Sequence, residues 1–123
     1  MSSLDGALRA HAAGSLAAAA AAELLIAGAW PDRDDFAGFV TVTASPGSGL
    51  TVAVVDWEAA AAAAVPGGGL CCSGGERRML QVTASLAAGI PVDLRDAVTG
   101  LDGRNARLVA GAALAASGCQ DAP

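Results

Sequence analysis

The chain has 123 residues and a formal net charge of −5, and its seven basic residues are all arginine, dispersed so that only Arg77 and Arg78 are adjacent. That length suits one domain with one core, and the acidic balance lacks the basic footprint by which nucleic-acid binders neutralise phosphates. Alanine supplies about a quarter of the residues. The hydrophobic fraction of 54% therefore overstates core-forming power, since each alanine removes little area from water at roughly 25 cal/mol per Å².

From the N-terminus, Leu4, Leu8, His11, Ser15, Ala18, Ala22, Leu25 and Ala29 recur at spacings of four and three. This predicts one long amphipathic helix with an alanine-lined face, which also suits contact with a protein partner or a second copy. The stretch reads neither as a secretory signal nor as a membrane span: Asp5 offsets Arg9, Glu23 follows the alanine run, and alanine anchors poorly in lipid. No membrane is expected as a partner, and the expected compartment is the cytoplasm. Trp30-Pro31 ends the helix, because the residue before proline is pushed out of the helical region. Asp32-Arg33-Asp34-Asp35 then reads as a solvated acidic turn, since a calcium loop also needs a central glycine and a distal glutamate.

From Phe39 to Trp57 the period changes to two. Val40-Thr-Val42-Thr and Leu50-Thr-Val52-Ala-Val54-Val flank Ser45-Pro46-Gly47-Ser48-Gly49, the pattern of a β-hairpin with Val40 and Val42 on one face beside Leu50, Val52 and Val54. Asp56 caps a short alanine helix running to Val65, and Pro66 with Gly67, Gly68 and Gly69 forms a linker. The linker divides a helix-plus-hairpin half, about 1–65, from a three-helix half, about 70–118.

The second half carries the clearest local signals. Ser73 and Glu76 have the spacing of a capping box, and Met79, Val82, Thr83, Leu86 and Ala87 mark one buried face of the helix that follows. Arg77, Arg78, Gln81 and Ser85 fall outside that face. Gly89 and Pro91 stop the helix. A short turn from Pro91 or Val92 carries Asp93 and Asp96 near its start and stops at Gly100, and Asp102 caps a last helix that buries Leu108, Val109, Ala112 and Ala116 before Ser117-Gly118. The expected fold class is α+β: a helix-rich single domain, with one antiparallel β-hairpin packed against about four to five helices.

Candidate chemistry is sparse. Cys71, Cys72 and Cys119 are the cysteines and His11 the single histidine. Adjacent cysteines make a poor chelating pair, so no zinc or other metal is expected, and an odd cysteine count fits a reducing compartment. No cofactor motif is present. Cys72 and Arg78 have the Cys-x5-Arg spacing of the phosphate loop in protein tyrosine phosphatases and related arsenate reductases, in which a thiolate at a helix N-terminus attacks. Cys71, where phosphatases have histidine, and Met79, where they have a hydroxyl residue, depart from that pattern. Glu76 would also put negative charge in the anion cradle. His11 reads as a rim or packed residue, since no carboxylate of its own helix lies four positions away to orient it and Asp5 is in a distant register, and Asn105 reads as a polar residue of a first helical turn.

Asp56-Trp57-x-Ala59-Ala60, Leu70-x-Cys72-Ser73-x-x-Glu76, the run Leu86-Ala-x-Gly-Ile-Pro-Val-Asp-Leu-Arg-Asp-Ala97 and Gly100-Leu-Asp-x-x-Asn105 together resemble a group of small uncharacterised proteins from high-GC actinobacteria. The resemblance spans most of the chain and implies no activity, while Cys71 and the long alanine tracts depart from it. The expected function is a non-enzymatic protein-interaction or regulatory module with a protein partner or a homodimer, met through the alanine-lined face of the first helix, with the hairpin edge as a further contact. A thiol-dependent enzyme using Cys72 and Arg78 is the alternative.

Overall fold

The structure, a computed structural model, describes residues 3–119. It is a helix-rich α+β domain: α1 (Ser3–Ala12), α2 (Leu16–Ala27), β1 (Val40–Ala44), β2 (Thr51–Val55), α3 (Trp57–Ala63), α4 (Gly74–Ala88), α5 (Leu94–Thr99) and α6 (Gly103–Ser117), with 3-10 turns at Trp30–Asp32 and Ala37–Phe39. There are six α-helices among the described residues where four to five were expected, because the predicted long N-terminal helix is two. Gly14 takes a positive φ of 97°, and Ser15 accepts the Ala18 amide as the N-cap of α2. A glycine in that conformation followed by a capping serine stops one helix and starts another, and here it outweighs the continuous apolar stripe.

The split lets α1 lie across β2 while α2 runs through the middle of the domain, packed on α1, α4 and α6. Ala20, Ala21, Ala22, Leu24 and Leu25 are all buried, so α2 is apolar on nearly every side and its alanines set a close approach. The alanine face expected to meet another chain is covered in part within this one, where Leu8, Ala22 and Leu25 are buried, while His11, Ser15 and Ala29 of the same stripe are exposed. Its one charged residue, Glu23, stays outside and accepts from Arg9 of α1 at 2.8 and 3.1 Å. Because α2 contacts α4 and α6, the two sequence halves share their packing.

Two apolar clusters follow. One joins α1, α2 and the turn after it, β2, α3 and α4 around Leu25, Trp30, Phe36, Val55, Ala60 and Leu80. The other joins α2, α4 and α6 around Ala20, Leu24, Met79 and Ala112; of the last helix's expected stripe only Ala112 is buried, and Leu108, Val109 and Ala116 pack against the cluster partly exposed. Trp30 and Phe36 meet at 5.5 Å between ring centroids, and Phe36 and Phe39 at 5.8 Å, which fixes the path from α2 into the hairpin. The buried face of α4 is shifted from its sequence stripe: Met79, Leu80, Thr83 and Ala84 are buried while Val82, Leu86 and Ala87, expected inside, are only partly so, because α3 and α5 pack on this helix as well as α2.

The hairpin faces also differ from expectation. The register pairs Val40 with Val55 and Val42 with Ala53, so Ala53 and Val55 face the core while Val52 and Val54 share the outer face with Thr41 and Thr43. The bond from Ser45 N–H to Leu50 O closes a four-residue loop, which sets the parity of the pairing. Beyond β2, α3 stops at Ala63 instead of Val65, and the glycines expected as a loose linker fold back on it. Leu70 N–H donates to the Ala63 carbonyl at 3.2 Å, and a Cβ on Gly68 would lie 2.7 Å from the Ala62 oxygen.

Candidate functional site

The junction singled out by the sequence is built at the start of α4. The capping box is formed: Glu76 N–H donates to Ser73 Oγ at 3.1 Å, and Ser73 N–H donates to Glu76 Oε1 at 2.8 Å. Glu76 Oε2 accepts from Arg33 Nη1 at 3.1 Å. Arg33 also forks onto Asp35 at 2.9 and 2.7 Å, donates to the Cys71 carbonyl, and lies 4.5 Å from the Trp30 ring centroid. One guanidinium thus ties the turn after α2 to the residues that open α4, with the planar fork and cation–π contact that arginine supplies and lysine does not. The Ser73 amide, with the Ser73 hydroxyl and Arg33 adding to it, holds the Glu76 carboxyl below its usual range. Arg33 does the same to Asp35, whose bond in turn raises the guanidinium.

Cys72 sits on this junction, partly buried against the first core cluster. Burial, then the Glu76 carboxylate, push its thiol up; Arg33 and Arg77 pull the other way and are outweighed. Arg78 lies between Gly100 and the first turn of α4: its Cζ is 2.5 Å from where a Cβ on Gly100 would be and its Nη1 3.2 Å from where one on Gly74 would be, and it is not among the charges that act on Cys72. Its Nε is buried without a hydrogen-bond partner. The cations acting on the Cys72 sulfur are therefore Arg33 and Arg77. Cys71 and Cys119 are exposed thiols at the junction and beyond the end of α6.

His11 is exposed at the mouth of a cleft of about 180 Å³ between α1, α2 and the hairpin. Asp5 is buried on the same helix. Asn105 contributes its backbone N–H to the Asp102 cap at 2.7 Å. In the acidic turn Asp32 and Asp34 are exposed and only Asp35 is engaged by Arg33. The sequence reading did not single out Arg33. Its one available signal was a basic residue three positions after Trp30 in an otherwise acidic run.

The larger surface feature is the hairpin. The twenty residues from Phe36 to Val55 carry no charge, although Asp35 and Asp56 flank them. Val42 is 54% exposed, Leu50 61% and Val54 37%, so apolar side chains emerge on both faces and at the tip. A two-stranded ribbon is marginal in water unless its faces are covered, and α1 covers only the Ala53 and Val55 side. The uninterrupted lack of charge was visible in the sequence; which valines it leaves outside was not. No helix among the described residues is long and apolar enough to cross a membrane. No protein-family model matches the chain, and neither a curated protein nor a solved structure matches it.

Proposed function

We propose that this protein is a non-enzymatic protein-interaction or regulatory module of the cytoplasm, with the hairpin as its contact surface. The observation that carries this is the exposure of Val42, Leu50 and Val54 on an uncharged segment within a chain of net charge −5. Scattered apolar residues are ordinary on a surface, but here they share one small ribbon that has no second face of its own to pack. The junction supports the same view. Arg33, Glu76 and Ser73 satisfy one another, and Cys72 is a raised thiol beside a carboxylate, which is poor provision for a nucleophile.

The test is a double variant, Val42→Asp with Val54→Asp, which places charge on both faces of the ribbon. Self-association, or a protein that co-purifies in fixed stoichiometry, is expected to disappear while circular dichroism stays that of the wild type. Association unchanged in the double variant, or a wild-type protein that associates with nothing and turns over an aryl phosphate or arsenate through Cys72, overturns the proposal.

A further inference from the structure

The geometry points to a second copy of this chain as the hairpin's occupant, joined through the outer edge of β1 in a two-fold antiparallel pairing centred on Val42. The inference rests on the hairpin being the contact surface and adds which edge, which partner and which register. The bonds from Ser45 N–H to Leu50 O and from Asp56 N–H to Phe39 O fix the ladder between the strands. By the alternation of an antiparallel pair, Thr41 and Thr43 turn their backbone groups to β2, and Val40, Val42 and Ala44 turn theirs away.

The other edge of the ribbon is closed to this pairing. On β2 the residues whose backbone faces outward include Ala53 and Val55, both buried. On β1, by contrast, Val42 and Ala44 are exposed. The Val40 N–H is already given to the Ala37 carbonyl, which leaves the Val40 C=O with both groups of Val42 and Ala44 for a partner strand. Centring the two-fold on Val42 makes four bonds: Val42 N–H donates to the partner's Val42 carbonyl and Ala44 N–H to the partner's Val40 carbonyl, each repeated by symmetry, while the Ala44 carbonyl, opposite the partner's engaged Val40 N–H, takes none.

Three features favour this occupant over an unlike one. Natural edge strands are protected by lysine, proline, a bulge or an inward charge, and β1, Val-Thr-Val-Thr-Ala, has none of these. An identical edge is complementary to itself, so a two-fold operation satisfies it without any other surface having evolved. The chain is acidic, so two copies repel over most approaches, and the uncharged hairpin is where they meet with least like-charge cost. The result is a four-stranded sheet in the order β2, β1, β1 of the partner, β2 of the partner, with Val42 against Val42 on the core-side face.

Sedimentation velocity across a range of concentrations, with amide hydrogen exchange read residue by residue, tests this. The wild type is expected to dimerise, with the Val42 and Ala44 amides becoming protected as the dimer forms and those of Thr41 and Thr43 protected in either state. Val42→Pro removes an N–H that makes no bond within the hairpin, and Val42→Lys places a charge at the two-fold. Each is expected to raise the dimer dissociation constant at least about tenfold, with a cooperative melt retained. Thr51→Lys, which adds the same charge to β2 away from the edge, is expected to leave the dimer intact. A dimer that survives both Val42 variants, or that leaves the Val42 and Ala44 amides unprotected, overturns the inference. A monomeric wild type that nonetheless holds a protein partner through the hairpin, or co-sediments with neutral lipid vesicles, also overturns it. The protein-partner outcome leaves the broader proposal standing, whereas vesicle binding without a protein partner, or a wild-type protein that binds nothing, ends both.

Discussion

Arg33 and Glu76 are 43 positions apart in sequence and joined at 3.1 Å, so the turn after α2 and the start of α4 are held as one unit. Glu76 spends one oxygen on the Ser73 amide and the other on Arg33, and Arg33 spends its remaining donors on Asp35 and the Cys71 carbonyl. Local helix capping and a long-range tie therefore share one carboxylate.

Arg33→Ala is expected to destabilise the fold by about 1–3 kcal/mol in urea titration, because it removes the Asp35 fork, the Glu76 bond and the stack on Trp30 together. Partial exposure of these groups keeps the effect below that of a buried pair. Arg33→Lys is expected to recover less than half of the loss, since an ammonium can neither fork nor stack as a plane. Full recovery by lysine would mean that only charge matters at this position.

Ser73→Ala removes the acceptor for the Glu76 amide and is expected to cost about 0.5–2 kcal/mol. In the double cycle with Glu76→Gln the two losses are expected to be less than additive, because each variant disables the same reciprocal cap. Strict additivity would contradict the box.

Glu76 and Asp35 both have carboxyls lowered in the folded chain, Glu76 first by the Ser73 amide and Asp35 first by Arg33. Their stabilisation is complete above the ordinary carboxylate values of 4.5 and 3.8 and is lost as pH falls through the lower folded-state values. Urea midpoints are expected to decline below about pH 4.5, with Glu76→Gln less stable than wild type at pH 7 and converging with it in acid. A gap between the two proteins that stays constant down to pH 2 would refute this linkage.

Iodoacetamide labelling followed by mass mapping is expected to modify Cys71 and Cys119 before Cys72, whose thiol is raised by burial and by Glu76. Glu76→Gln is expected to speed Cys72 labelling, and Arg78→Ala to leave it unchanged, since Arg33 and Arg77 are the cations that act on that thiol. Fast labelling of Cys72 at pH 6 that collapses in Arg78→Ala would favour a thiol-dependent enzyme instead.

Two alanine–glycine exchanges test the backbone in opposite directions. Ala29 holds a positive φ of 59° and is exposed, so Ala29→Gly relieves left-handed strain and is expected to stabilise by up to about 1 kcal/mol in thermal melts. Gly68→Ala drives a methyl onto the Ala62 and Ala63 carbonyls and is expected to cost about 1–3 kcal/mol. A neutral Gly68→Ala would show that the segment after α3 is looser than its contacts indicate.

The sequence determined the features that depend on neighbours along the chain. Ser73 with Glu76, Asp56, Asp93 and Asp102 each cap the helix they precede, Gly89 and Gly118 close two helices in the left-handed conformation, and the β-branched runs around Ser45–Leu50 make a hairpin. These depend on side-chain-to-backbone reach over three or four residues, which spacing alone fixes. The break at Gly14-Ser15 was of the same local kind and legible in principle, but the alanine stripe running through it carries no side chain large enough to say which face is inside. Tertiary packing alone decided that α2 is enclosed by α4 and α6, that Leu80 and Ala84 are core, that Val54 points out while Ala53 points in, and that Arg33 reaches Glu76. Each of these is set by what lies opposite in space: a strand's faces exchange with a shift of one residue, and an arginine among aspartates has no preferred partner until the fold brings one within reach.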